Sequence, residues 1–95
     1  MTAENLNIAA ILTERGNRYG KFTTHAEHTQ TLKAIFRAKM GEKWDNLADD
    51  QKEALEMIAH KLGRIMNGDP NYADSWVDIA GYAKLVSDRL EGVAR

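Results

Sequence analysis

The chain has no cysteine, which excludes a disulfide scaffold, a zinc ribbon and a cysteine nucleophile. It has one proline, Pro70, and no sustained alternation of apolar and polar residues, so nothing reads as a strand. No apolar run approaches the ~20 residues of a membrane span. The N-terminus shows no basic region followed by an apolar one, so the expected location is the cytoplasm. Neither charge dominates: 13 Lys and Arg stand against 14 Asp and Glu. Residues 1–48 carry seven basic and five acidic groups, residues 49–95 six and nine. That balance lacks the basic footprint of a duplex-DNA binder. What is present is 43% hydrophobic and 28% charged residues, the make-up of an ordered globular chain. Ninety-five residues suit one domain, 1–95, too short for two cores. A chain of this size buries roughly 60–65% of its unfolded surface, so a partner subunit is expected.

Glycines punctuate the periodic segments at Gly16, Gly20, Gly41 and Gly68, and four helices are predicted. The first covers about 3–15, with Leu6, Ile8, Ala9, Ile11 and Leu12 as its apolar side and Gly16 as a terminator able to take φ > 0. Residues 16–23 read as a linking loop carrying Tyr19 and Phe22. Thr24 reads as an N-cap, with Glu27 completing a capping box. The second helix covers about 25–40, burying Ala26, Leu32, Ile35, Phe36 and Met40, and Gly41 ends it. Trp44 and Leu47 cover the core edge from the connection that follows. The third helix, about 50–66, has Asp50 and Glu53 as its capping box and Leu55, Ile58, Leu62, Ile65 and Met66 as one stripe, with Ala59 alongside. Asn67 to Pro70 stop it, with Pro70 in the first turn of the next helix. The fourth runs about 71–90 with Tyr72, Trp76, Ile79, Ala83, Val86 and Leu90 buried. Gly92–Arg95 reads as a frayed tail. The fold class is all-α, a four-helix bundle-like domain.

Several polar groups could carry chemistry. Asp74 and Asp78, four apart, share one side of the last helix, in a stripe with Tyr82 and Leu85. With Glu53 and Glu56 on the preceding helix they could hold Mg²⁺, as paired carboxylates do in helical bundles. Each also has an ordinary role: Glu53 in a cap, Glu56 in solvent, Asp74 at a helix start, and Asp78 neutralised by Lys61 or Arg64. His25, His28 and His60 read as surface histidines with no third metal ligand. No nucleophile elbow or phosphate loop is present. A second constellation favours an anion. Arg15, Arg18, Tyr19 and Lys21 from the loop and its borders, with Lys61 and Arg64, offer paired donors for phosphate and a ring for stacking on a base. A solvated basic rim would look the same in sequence. Trp76 and Tyr82 read as core or interface residues.

Three stretches carry a family resemblance: Arg18-Tyr19-Gly20, the run Met57-Ile58-Ala59-His60-Lys61-Leu62-Gly63-Arg64-Ile65, and the run from Asp74-Ser75-Trp76-Val77-Asp78 through Ile79-Ala80-Gly81-Tyr82-Ala83. Over about residues 10–92 this order resembles a small, uncharacterised phage and prophage helical domain family. It is more distantly similar to nucleotide-modification-associated and MazG-like nucleotide pyrophosphohydrolases. The resemblance implies a MazG-like helical frame, dimeric or higher, working in a bacterial host cell. MazG-like enzymes hold magnesium through Glu-x-x-Glu and Glu-x-x-Asp. Asp78 matches the last position, Ser75 replaces the glutamate before it, and the natural register puts Lys61 and Arg64 where carboxylates are expected. A lysine there repels Mg²⁺ and can pair with Asp78.

The function expected is therefore noncatalytic binding of a nucleotide or nucleotide-derived signal, with no cofactor, used by a phage to sequester a host signal. Arg18, Lys21, Lys61 and Arg64 would contact phosphate, Tyr19 would stack, and Asp78 would orient the cations. One alternative is a Mg²⁺-dependent pyrophosphohydrolase using Glu53, Glu56, Asp74 and Asp78. A second is a protein–protein module inhibiting a host factor. Homo-oligomers are expected; duplex DNA and membranes are not.

Overall fold

The computed structural model describes the backbone of residues 3–95 and the side chains from Asn7 onward. Among these residues it is all-helical: α1 (Ala3–Tyr19), α2 (Phe22–Met40), a single turn α3 (Glu42–Asp45), α4 (Asp49–Asn67) and α5 (Ala73–Leu90). No described helix is long and apolar enough to cross a membrane. The helix α4 lies between α2 and α5 and packs on both, while α1 touches α2 and α4 only near their ends.

Several boundaries differ from expectation. Gly16 lies inside α1, and the break falls at Gly20, whose φ of 80° favours glycine. The expected loop of residues 16–23 thus shrinks to Gly20 and Lys21. The helix α2 begins at Phe22 after an uncapped Lys21, so Thr24 and Glu27 are helical and form no capping box. Gly41 does end α2, with φ 56°. Trp44 sits on α3, not in a loop, buried and stacked with Phe36 at 6.0 Å between centroids. The cap of α4 is one residue pair earlier than Asp50 and Glu53: Gln51 Oε1 accepts the Ala48 N–H at 2.9 Å. Asp50 is instead held by both donors of Arg89, at 2.7 and 2.8 Å, which keeps its carboxyl below the usual range. Pro70 precedes α5, which begins only at Ala73.

Local patterning overestimated the core. The apolar side of α1 is exposed at Ile8, Ala9, Ile11 and Leu12; Leu6 falls outside the described side chains. On α2, Ile35 is exposed, while Ala26, Leu32, Phe36 and Met40 are half-buried. On α4, Leu55, Ile58, Leu62 and Ile65 are half-buried and Met66 is exposed. On α5, Trp76, Ala83 and Leu90 face solvent, and Trp76 Nε1 donates to the Pro70 carbonyl at 2.8 Å. The apolar side chains that are buried are Trp44, Ala54 and Ala59, and the other buried residues are His25, Thr29, Lys61, Gly63, Ser75 and Asp88. Nor is the end of the chain frayed. Arg95 Nε donates to Asp88 at 2.8 Å, beside Lys84 at 2.7 Å, and both contacts keep the Asp88 carboxyl below its ordinary range.

Candidate functional site

The α2–α4 seam is polar. On α4, Glu56, His60, Gly63 and Asn67 recur at i, i+4, i+7 and i+11, which puts them on one face. That face meets α2 and the turn before it. Glu56 pairs with Lys33 at 3.9 Å. His60 Nδ1 and His25 Nε2 are hydrogen-bonded across 3.3 Å, one ring donating and the other accepting, their rings edge-on with centroids 4.6 Å apart. Thr29 Oγ1 lies 3.5 Å from the same His25 nitrogen. Gly63 is what permits this approach: a Cβ there would come within 2.5 Å of Thr29 Oγ1 and 3.0 Å of His25 Nδ1. Asn67 Nδ2 donates to the carbonyls of Tyr19 and Lys21 at 2.8 and 2.9 Å.

Both histidines are held neutral at pH 7. Burial is the main cause at His60, with the neighbouring His25, Arg64 and Lys61 adding to it, and its pKa falls to about 4. Burial also lowers His25. His25 is only 4% exposed, and its Nδ1 has no hydrogen-bond partner among the described residues. These are therefore not surface histidines. The legible signal was the line His25, Thr29, Leu32 and Phe36, which places the histidine on the same side of α2 as two half-buried apolar residues.

Above this seam, where α1 turns into α2, lies a cavity of about 560 Å³. Its floor is His25 and His60, its apolar wall is Leu12, Tyr19 and Phe22, and its charged lining residues are Arg15, Lys21 and Arg64. No carboxylate lines it among the described residues. The Arg64 guanidinium sits 4.1 Å over the Tyr19 ring, Tyr19 stands 6.1 Å from Tyr72, and Arg18 caps the Tyr72 ring at 4.3 Å. This alternation of cations and rings fixes Arg64 without neutralising it. The turn itself is clamped: Asp69 N donates to the Arg18 carbonyl at 2.6 Å, and Gly68 leaves no room for a Cβ beside Arg18 and Tyr19.

The predicted site residues fall into two groups. Tyr19, Lys21 and Arg64 line the cavity, together with Arg15. Arg18 lies outside it, on Tyr72 and on Glu14 at 3.3 Å. Lys61 and Asp78 meet each other across α4 and α5 at 3.0 Å, away from the cavity, with Lys61 9% exposed. The Tyr19 ring already carries Arg64 on one face, which restricts base stacking to the other. The four acids do not converge. Glu53 faces an open groove near Arg89, Glu56 is on Lys33, Asp78 is on Lys61, and Asp74 accepts the Tyr72 hydroxyl at 2.8 Å. That last bond raises the Tyr72 pKa. Among the described residues no group of three or more His, Cys, Asp or Glu could hold a metal ion. Leu12, Phe22, His25 and His60 belong to the cavity and were absent from the predicted site.

No curated protein and no solved structure matches the chain. One family model does, over residues 5–90, and on that match the chain belongs to the family described as a domain of unknown function, DUF6378.

Proposed function

We propose that the protein binds a nucleotide or nucleotide-derived phosphate ligand without catalysis, in the cavity between α1, α2 and α4. The observation that carries this reading is the pairing of three cations, Arg15, Lys21 and Arg64, with an aromatic and apolar wall that offers no carboxylate among the described residues. Arginine grips phosphate oxygens through paired donors, and Arg64 is already ordered by its stack on Tyr19. Phe22, 76% exposed at the rim, offers a free ring face to a base. Lys61 and Asp78 then act structurally, joining α4 to α5, and Arg18 supports the stack.

A MazG-like frame, a phage origin, a cytoplasmic setting and homo-oligomers belong to the same proposal. In a phage, noncatalytic binding of this kind would sequester a host nucleotide signal. Glu53, Glu56, Asp74 and Asp78 do not converge, with the last three each held by a different partner, which gives the Mg²⁺ pyrophosphohydrolase no support. Such an enzyme would release pyrophosphate, and Asp78→Asn would stop it. The direct test is calorimetric titration with ATP, GTP, cyclic di-AMP and cyclic di-GMP. Binding by at least one of them, weakened tenfold or more in Arg64→Ala and little changed in Lys61→Met, is the expected result. No heat of binding from any of the four removes the proposal.

A further inference from the structure

The helix α1 is amphipathic, and the described apolar residues ahead of its last turn, Ile8, Ile11 and Leu12, are exposed. Every described residue from Asn7 to Asn17 is exposed. Ile8, Leu12, Arg15 and Tyr19 recur at i, i+4, i+7 and i+11 and share one face. The lower part of that face lines the cavity. Ahead of it the face is open: Ile8 is 55% exposed, Ile11 beside it 48%, and Leu12, at the edge of the cavity, 61%. A helix of this length gains most of its stability from packing its apolar face, so a bare one implies a missing partner.

The area to be covered can be estimated. The chain exposes 6786 Å², whereas a compact monomer of 10.7 kDa exposes about 5,500 Å². The excess over the whole chain, about 1,300 Å², is more than the ~800 Å² per partner of a stable interface, and Ile8, Ile11 and Leu12 of α1 contribute to it. The radius of gyration, 15.9 Å, likewise exceeds the ~12 Å of a compact domain this long. Gly16 is the second observation. It lies within α1, where glycine costs about 1 kcal/mol relative to alanine, its φ is not positive, and a Cβ there would meet nothing within 4 Å. It lines the cavity, so its bare backbone leaves a gap in the cavity wall.

We infer that a second copy of this chain covers α1, the two α1 helices crossing antiparallel about a two-fold axis near Leu12. A symmetric pair centred on residue 12 sets residue 8 of one helix opposite residue 16 of the other. Ile8 of the partner subunit then fills the gap over Gly16 and completes the wall of the cavity. Each cavity is closed by its neighbour, and assembly and ligand binding favour one another. This last coupling rests on the function proposed above; the interface does not.

The test uses the full chain. Sedimentation velocity at tens of micromolar is expected to give a dimer for the wild type and a monomer for Ile8→Gln with unchanged helical circular dichroism. Ile8 lies outside the cavity of its own subunit, yet Ile8→Gln is expected to weaken titration by ATP or the cyclic dinucleotides tenfold or more. The double variant Ile8→Cys/Gly16→Cys, in a chain with no other cysteine, is expected to oxidise to a covalent dimer. Two turns of one helix separate these positions too widely for a bridge within a subunit. Ala10→Cys/Asn17→Cys, on the other side of α1, should stay monomeric on reducing-agent-free gels. A monomeric wild type, an Ile8→Gln dimer or equal cross-linking of the two double variants overturns the interface. A monomeric Ile8→Gln that binds as well as wild type overturns the shared cavity. A wild-type dimer that cross-links as expected but binds none of the nucleotides overturns the proposed function and leaves the interface standing.

Discussion

Replacing Gly63 by alanine sets two known effects against each other. Alanine is the better helix former by about 1 kcal/mol in a helix interior, so propensity alone predicts a gain. The new methyl, however, would lie 2.5 Å from Thr29 Oγ1 and 3.0 Å from His25 Nδ1. Thr29 and His25 are each 4% exposed, and the imidazole is tied to His60, so neither neighbour can yield freely. Overpacking of this kind costs typically ~1–3 kcal/mol, and separating α2 from α4 would also lengthen the 3.3 Å histidine contact. We expect a net loss of about 1–2 kcal/mol, which for a domain of this size lowers Tm by about 5–10 °C. Gly81→Ala is the matched control. Gly81 is helical in α5, and a Cβ there meets nothing within 4 Å, so the substitution should raise Tm by a few degrees. Thermal and urea unfolding followed by circular dichroism measures both. A Gly63→Ala protein as stable as wild type would refute the close-packed seam.

Stability should depend on pH in a defined window. His60 falls from 6.5 to about 4 in the folded chain and His25 also falls, so the unfolded chain binds more protons between these values. The stability is complete above about pH 6.5 and is lost as pH drops toward 4. The full shift at His60 would be worth about 3 kcal/mol, reduced to about 1–2 kcal/mol by its partial exposure. His60→Gln should flatten urea midpoints measured across that range, whereas the ion-paired Asp50 and Asp88, also lowered, act below it. The Lys61–Asp78 pair should respond asymmetrically. Asp78→Asn leaves the buried ammonium without its partner and should cost about 1–3 kcal/mol. Lys61→Met leaves a carboxylate whose side chain is 45% exposed and should cost under about 1 kcal/mol; equal losses in chemical denaturation would refute that difference. Asn67→Ala removes both bonds to the α1–α2 turn and should cost about 1–2 kcal/mol, with faster amide exchange at Gly20 and Lys21 than in wild type.

Periodicity and glycine placement were enough to identify an all-helical chain and four main helices, because the pitch of a helix is written into every four residues. Capping was less legible. Gln51 serves Ala48, and Asp50 is drawn away to Arg89 on α5, a partner 39 positions on that no local pattern indicates. The short distance from Lys61 to Asp78 was within reach of sequence reasoning, since both positions follow from the register of adjacent helices. His60 was not, because a histidine on a polar face looks the same whether that face meets water or another helix; Phe22 lay in an expected loop, and His25 was marked by its line with Thr29, Leu32 and Phe36 alone.

By itself, the sequence determined what each segment is: helical, cysteine-free, balanced in charge, and apolar along one side of each helix. Tertiary structure decided which of those sides find partners within the chain. The α2–α4 seam closes on histidine, threonine and glycine because Gly63 admits the contact, while Ile8, Ile11 and Leu12 of α1 stay exposed. Helical phase is a local property and fixes the residues that share a face. Whether that face is covered depends on where distant helices end, and only the folded chain sets that.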